Sequence, residues 1–238
     1  MPLSDTTRDA LKGVSVATLS TALFKRGLRN QVIQGAMPLD PGKDNMVGEA
    51  FTLRNIPARE DLNPITVFED PQHPQRAAIE ACPAGHVMVV DSGHDPRAAS
   101  GGDILLARLM TRGGAGFVTD GGLRDSAEIA KLSMPAYCLR PSAPTNLTRF
   151  MAIEANVPIG CGGAPVFPGD VIVGDSESVI VIPAEIADEI ATEAVEMTAF
   201  EDFVGEKVRA GASIIGLYPP TNPASKDEFA VWRKERGR

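Results

Sequence analysis

The strongest constraint in the 238-residue sequence is a pair of glycine-led segments. One reads Gly101-Gly102-Asp103-Ile104-Leu105-Leu106 and the other Gly121-Gly122-Leu123-Arg124-Asp125, with 20 residues between Asp103 and Arg124. Glycine pairs allow positive φ and close approach of backbone to a ligand. Asp103 is a good N-cap for a helix over Ile104–Arg112, and Gly113-Gly114 is a good stop. Phe117-Val118-Thr119 has the character of a short buried strand. Gly121-Gly122 then turns the chain and delivers Arg124 and Asp125 to the carboxyl end of that strand, where α/β folds bind ligands. The first turn of the helix exposes N–H groups at the positive end of its dipole, so its expected guest is a carboxylate or phosphate. Each charged residue also has a plainer reading: Asp103 and Asp125 as helix caps, Arg124 as half of a surface ion pair.

The flanking sequence predicts helices over Asp5–Lys12 and Ser15–Leu23 and a strand over Gly48–Leu53. It also predicts a helical turn over Gln75–Cys82 and strands over Val87–Asp91 and Met134–Leu139. Pro57–Pro74 reads as an acidic loop, and Ser92–Ser100 as a polar loop that places His94 near the pocket. Val166–Asp175 and Ser178–Pro183 read as paired strands. A long glutamate-rich helix follows from Ala184 to Ala210. Ile214–Tyr218 is a final strand or a packed tail, and Pro219, Pro220 and Pro223 should break regular structure. Asp227–Arg238 can form a terminal helix with Phe229 and Trp232 on one side, docked on its own domain or on a neighbouring subunit. The division is therefore a single α/β domain over 1–218 and a C-terminal extension over 219–238.

The bulk numbers exclude several classes. A net charge of −8 argues against general nucleic-acid binding. No apolar run approaches the roughly 20 residues of a membrane span, and Met1–Asp9 lacks the apolar core of a secretory signal. The three cysteines are scattered without a CxxC, as expected of reduced thiols in the cytoplasm. His73 and His86 have no partner at metal-ligand spacing, so a histidine-held zinc is not expected.

With those residues in view, the chain resembles the family that unites the RraA regulators of ribonuclease E with the 4-hydroxy-4-methyl-2-oxoglutarate aldolases. Asp103, a 20-residue spacer and Arg124-Asp125 match the family pattern. So do Gly48–Leu53 and the hairpin Pro168–Asp175 with Val179–Pro183. The resemblance covers about Val14–Gly211. It implies a layered α-β-β-α domain with a swivelling-domain-like β core, assembled as a homotrimer or homohexamer with active sites between subunits. It also implies a divalent-metal-dependent lyase for a small 2-oxo acid, cleaving a 4-hydroxy-2-oxo acid to pyruvate, with oxaloacetate decarboxylation as a side activity. On that basis Asp125 would hold magnesium or manganese, and Arg124 the oxo group of a pyruvyl moiety. Asp103 would order a water or move a proton. Gly102 and the N–H groups of Ile104, Leu105 and Leu106 would take the substrate carboxylate. A glutamate of a neighbouring long helix, Glu201 with Glu206 in reserve, would complete the metal environment; the plainer reading of both is a solvated helix face. Two other functions fit the same scaffold: a protein regulator of ribonuclease E, and a sugar-acid dehydratase.

Overall fold

A computed structural model describes residues 2–237; Met1 and Arg238, the outer ends of the expected domain and tail, lie outside them. Hydroxyl caps start the chain's first two helices. Ser4 Oγ accepts from the Thr7 N–H at the start of α1 (Asp5–Lys12), and Ser15 Oγ does the same for Thr18 in α2 (Val16–Lys25). Each bond satisfies one of the donors a helix N-terminus leaves open.

A nine-stranded mixed sheet forms the centre. Its parallel half runs Met46–Pro57, His86–Asp91, Gly116–Thr119 and Ala136–Cys138. Those strands are joined by three helices: α3 (Pro74–Ala81), α4 (Asp103–Thr111) and the short α5 (Ser126–Ile129). On the other side of Met46–Pro57 the sheet is antiparallel, through Val171–Gly174 and Val179–Ile182 to Val32–Ile33. Val171–Gly174 and Val179–Ile182 are buried at every position, which is why they read as unbroken apolar runs rather than alternating ones.

Three apolar clusters define the layers. Leu106 and Leu109 of α4 and Ala78 and Ile79 of α3 pack on Phe51, Met88, Val90 and Phe117. Leu11 of α1, Leu19 and Leu23 of α2, and Ile190 and Ala194 of α6 (Ala187–Arg209) cover Val171, Val173, Ile180 and Ile182. Between the two halves of the curled sheet lie Val87, Val89, Val118, Ile172 and Val181, closed by Cys161 and Val166 of a small hairpin. The order is helix, sheet, sheet, helix, as the resemblance implies. The linking helices α3, α4 and α5 all serve one cluster, so the sheet is not doubly wound.

Several elements differ from expectation for identifiable reasons. Pro223 does not break structure: it is the first residue of α7 (Pro223–Arg236), where its missing N–H costs nothing, and Asn222 caps it. This helix docks on its own α6: Phe229 and Trp232 pack on Phe203, and Trp232 Nε1 donates to Glu206 at 2.9 Å. Ile214–Tyr218 forms no strand; it turns, and Leu217 joins the same cluster. Inside Pro57–Pro74 a 3-10 turn spans Ile65–Glu69, and Phe150–Ala155 pairs with the outer half of Met46–Pro57. All three cysteines are free and buried. Burial pushes the Cys82 thiol up to about 12 and Cys138 to about 11, which keeps them unreactive. No helix among the described residues is long and apolar enough to cross a membrane.

Asp120, at the carboxyl end of Gly116–Thr119, is the polar anchor of this architecture. It is 2 % exposed and accepts N–H bonds from Ser92 (2.6 Å), His94 (2.9 Å) and Gly162 (3.0 Å). Asp120→Ala would orphan three donors, each costing about 1–3 kcal/mol when buried. Urea denaturation should show a loss of about 3 kcal/mol or more, and a change under about 1 kcal/mol would contradict this role.

Candidate active site

The cavity of interest, about 220 Å³, lies where the strand Ala99–Gly101 hands over to α4. Ala99 and Gly101 belong to a separate parallel trio with Gly122–Leu123 and Arg140–Pro141. That pairing brings the two glycine-led segments together: the Arg124 N–H donates to Gly101 O at 3.1 Å. Asp103, Arg124 and Asp125 consequently line one cavity, with Gly102, Ile104 and Leu105 beside them.

The glycines work by absence of bulk. Gly101, Gly102, Gly121 and Gly122 are not among the positive-φ glycines, and Gly102 has extended φ of −137°. A Cβ on Gly102 would stand 3.0 Å from Arg124 Cγ and 3.1 Å from Asp125 Oδ2. The left-handed backbone falls instead on Asp125, with φ of 54°. Aspartate tolerates that region better than most residues, at a cost of order 1 kcal/mol.

Asp125 holds the cap position of α5 through its backbone, whose carbonyl oxygen accepts from Glu128 and Ile129, but not through its side chain. Its side chain makes no capping bond to α5; its Oδ2 instead accepts from Arg124 Nε at 3.0 Å. Both side chains of this pair are partly open to solvent, at 50 % and 39 % exposure, so it adds at most about 1 kcal/mol to stability. Its effect is orientation: the bond uses Nε, and the terminal guanidinium nitrogens have no bonding partner among the described residues.

At the start of α4, Gly102 rather than Asp103 is the cap residue, and Asp103 is the first helical residue. Asp103 Oδ1 accepts from the Ile104 N–H at 2.8 Å, which engages that donor. Leu106 leaves the substrate-binding set: its N–H donates to Gly102 O at 3.1 Å, and its side chain is fully buried away from the cavity. The Asp103 and Leu105 N–H groups are the donors of this turn without a partner among the described residues.

Glu201 and Glu206 lie elsewhere in this chain. Glu201 Oε2 accepts from Thr18 Oγ1 at 2.7 Å, beside Phe200 and Tyr218. Glu206 accepts from Trp232 and from Arg236. Neither lines the cavity, so either could reach a metal only in a neighbouring subunit. Among the described residues no three His, Cys, Asp or Glu side chains converge as a metal site. His94 is also outside the cavity; its N–H is spent on Asp120.

Other lining residues were missed by sequence reasoning: Phe68, Gln75, Arg76, Thr145 and Asn146. Gln75 is buried and donates to Ser100 O at 2.9 Å, tying α3 to the strand behind the cavity. Phe68 stands edge-on to His73, ring centroids 5.1 Å apart. A proline-bounded segment followed by an arginine-bearing helical turn was the available signal, but it carries no spacing rule that points to a site.

The fold and the site together define a mixed α/β protein with a cavity lined by two carboxylates and two arginines at the end of a parallel strand set. The family model described as aldolase/RraA matches residues 16–181, and the chain belongs to this RraA-like family. It is 42 % identical over 108 residues to a Halalkalibacterium halodurans protein provisionally named 4-hydroxy-4-methyl-2-oxoglutarate aldolase. That match covers 45 % of this chain and spans only half, 50 %, of the relative. A Burkholderia multivorans protein with the same provisional name is 32 % identical over 151 residues, covering 63 % of this chain and 84 % of the relative. Among solved structures, Streptomyces coelicolor RraAS2, described as an unusual member of the RNase ES inhibitor RraA family, superposes with a TM-score of 0.74 at 28 % identity. That superposition covers 85 % of this chain and 97 % of the other. An uncharacterised Pseudomonas syringae protein shares the fold, with a TM-score of 0.77 at 23 % identity over 92 % of this chain and 99 % of its own.

His73 gives the cavity wall a pH dependence. Desolvation by burial lowers its pKa, Arg76 lowers it further, and Asp70 partly opposes them. The unfolded chain therefore binds a proton first as pH falls below about 6.5, so the stability from neutral His73 is full above that pH and is lost beneath it. Urea denaturation at pH 7.5 and 5.5 should show wild type losing more stability on acidification than His73→Phe does. Equal losses would contradict this.

Proposed function

We propose that the chain is a divalent-metal-dependent lyase for a small 2-oxo acid, cleaving the C3–C4 bond of a 4-hydroxy-2-oxo acid to release pyruvate. The observation that carries this reading is the gathering of Asp103, Arg124 and Asp125 around one cavity beside the open first turn of α4. The donors suit magnesium or manganese: they are carboxylate oxygens without nitrogen or sulfur, and too few to enclose an ion without water. Asp125 would hold the ion through the oxygen that Arg124 does not engage, with Asp103 adjacent. Such an ion supplies Lewis acidity toward the carbonyl and carboxylate oxygens of a 2-oxo acid.

The residues account for the remaining work. The Leu105 N–H and the helix dipole receive the substrate carboxylate. Arg124 donates from its terminal nitrogens to the carbonyl oxygen on which enolate charge builds as C3–C4 breaks. Asp103, one oxygen fixed by Ile104, holds the water that takes the C4 hydroxyl proton; C4 leaves as a carbonyl, and that proton returns through the water to C3 to give pyruvate. The same electron sink serves oxaloacetate decarboxylation. Among the described residues no lysine lines the cavity, and the proposed chemistry needs no Schiff base.

A homotrimer or homohexamer with sites between subunits belongs to the same proposal. Ile104, 79 % exposed at the cavity, gives an apolar surface for another subunit to cover. The likeness to RraAS2 favours a second reading, a protein regulator of an RNA-processing enzyme, which would need none of the three charged residues.

A screen of 2-oxo acids and sugar acids with and without magnesium separates these functions. Turnover of a 2-oxo acid should vanish with EDTA and fall about a hundredfold or more in Arg124→Ala and in Asp125→Asn. Activity indifferent to EDTA removes the metal. Dehydration of sugar acids alone moves the chain to the dehydratase reading. Inhibition of an RNase E-type nuclease without turnover of any acid establishes the regulator.

A further inference from the structure

We infer that Arg76 determines substrate specificity by pairing with a second carboxylate at the far end of the 2-oxo acid, so that the cavity selects dianionic substrates. This rests on the 2-oxo acid reading above and adds to it the chemistry of the substrate's other end.

The cavity has two cations with different situations. Arg124 is paired with Asp125. Arg76 also lines the cavity, from α3, yet its side chain makes no ion pair or hydrogen bond among the described residues. Its guanidinium lies over the Phe68 ring, 4.6 Å from the centroid. The ring stands against the guanidinium, whose N–H groups have no partner among the described residues and suit two parallel bonds to a carboxylate.

The stack is braced from behind. Phe68 contacts His73, which is 8 % exposed, and the His73 carbonyl oxygen accepts from the Arg76 N–H at 2.9 Å at the start of α3, the helix that carries Arg76. Gln75, next in sequence, is pinned to Ser100 O. An arginine restrained in this way gives up less freedom when it binds, so more of the interaction appears as affinity. Across the remaining lining, Thr145 and Asn146 are neutral and Asp103 and Asp125 are acidic. Arg76 is therefore the available cation for an anionic group beyond the one received at α4 and Arg124.

The test measures binding of pyruvate and of 2-oxoglutarate, with magnesium present, to wild type, Arg76→Ala and Arg76→Lys. The two ligands share the 2-oxo acid head, and only 2-oxoglutarate carries the distal carboxylate. Arg76→Ala should weaken 2-oxoglutarate about tenfold or more and pyruvate less than twofold. Arg76→Lys, which keeps charge but not the planar fork, should fall between. A role confined to bracing Phe68 would lower the Tm of Arg76→Ala while leaving the ratio of the two affinities at the wild-type value, and that ratio would overturn the inference. If wild type binds both acids and Arg76→Ala matches it, the assignment of Arg76 fails while the 2-oxo acid reading stands. If wild type binds neither, both fail.

Discussion

The site depends on a backbone contact that side chains would prevent. Arg124 N–H reaches Gly101 O only because the neighbouring Gly102 leaves room for the Arg124 stem and the Asp125 carboxylate. That contact converts a 20-residue separation in sequence into a shared cavity wall. It also sets the division of labour among the charges. Asp103 is turned onto its own helix, Asp125 is turned onto Arg124, and each carboxylate retains an oxygen without a partner among the described residues. The strained φ at Asp125 belongs to the same arrangement, since the chain must turn there to enter α5.

The sheet behind this contact supplies rigidity. Asp120 gathers three N–H groups at the end of its strand, and the Ser92, Ser100 and Thr119 hydroxyls form a buried network next to it. Buried polar groups of this kind hold only when fully satisfied, and here each has partners. Ser100 also accepts Gln75 through its carbonyl oxygen. The strand beneath the cavity is thus fixed to α3 on one side and to the Asp120 anchor on the other. Arg76 and Arg124 are mounted on elements joined through that strand rather than on free loops.

Local signals explain what was legible from the sequence. Unbroken apolar runs gave the buried strands, and the spacing of Asp103 from Arg124 gave the core of the candidate site, because each is written within a few residues or in a helix-plus-strand unit. The missed features depend on distant pairing. Phe68, Arg76, Thr145 and Asn146 meet at the cavity from segments up to 78 residues apart, and nothing in their local sequence shows it. Asp120 was overlooked between two better signals, Thr119 and the glycine turn, although a carboxylate ending a buried strand must find donors. At the glycine pairs positive φ and close approach to a ligand were both expected; the φ values are not positive, and the close approach at Gly102 is to the Arg124 and Asp125 side chains. The metal role of Glu201 came from the family resemblance and concerns a neighbouring subunit; in its own chain the Thr18 hydroxyl donates to one of its oxygens.

Stability and chemistry draw on different residues in this chain. The three apolar clusters hold the layers, and none includes Asp103, Arg124, Asp125 or Arg76. The half-open Arg124–Asp125 pair adds at most about 1 kcal/mol, and the left-handed backbone at Asp125 costs about as much. Near cancellation means that the site is carried by the fold and does not support it. Replacing its charged side chains therefore leaves a folded protein, and a loss of binding or turnover in such variants reports on the cavity rather than on unfolding. Arg76 differs slightly, since its stack on Phe68 touches the wall that His73 braces. For that residue, affinity for two ligands must be compared within one variant, because a ratio cancels any change in the folded fraction.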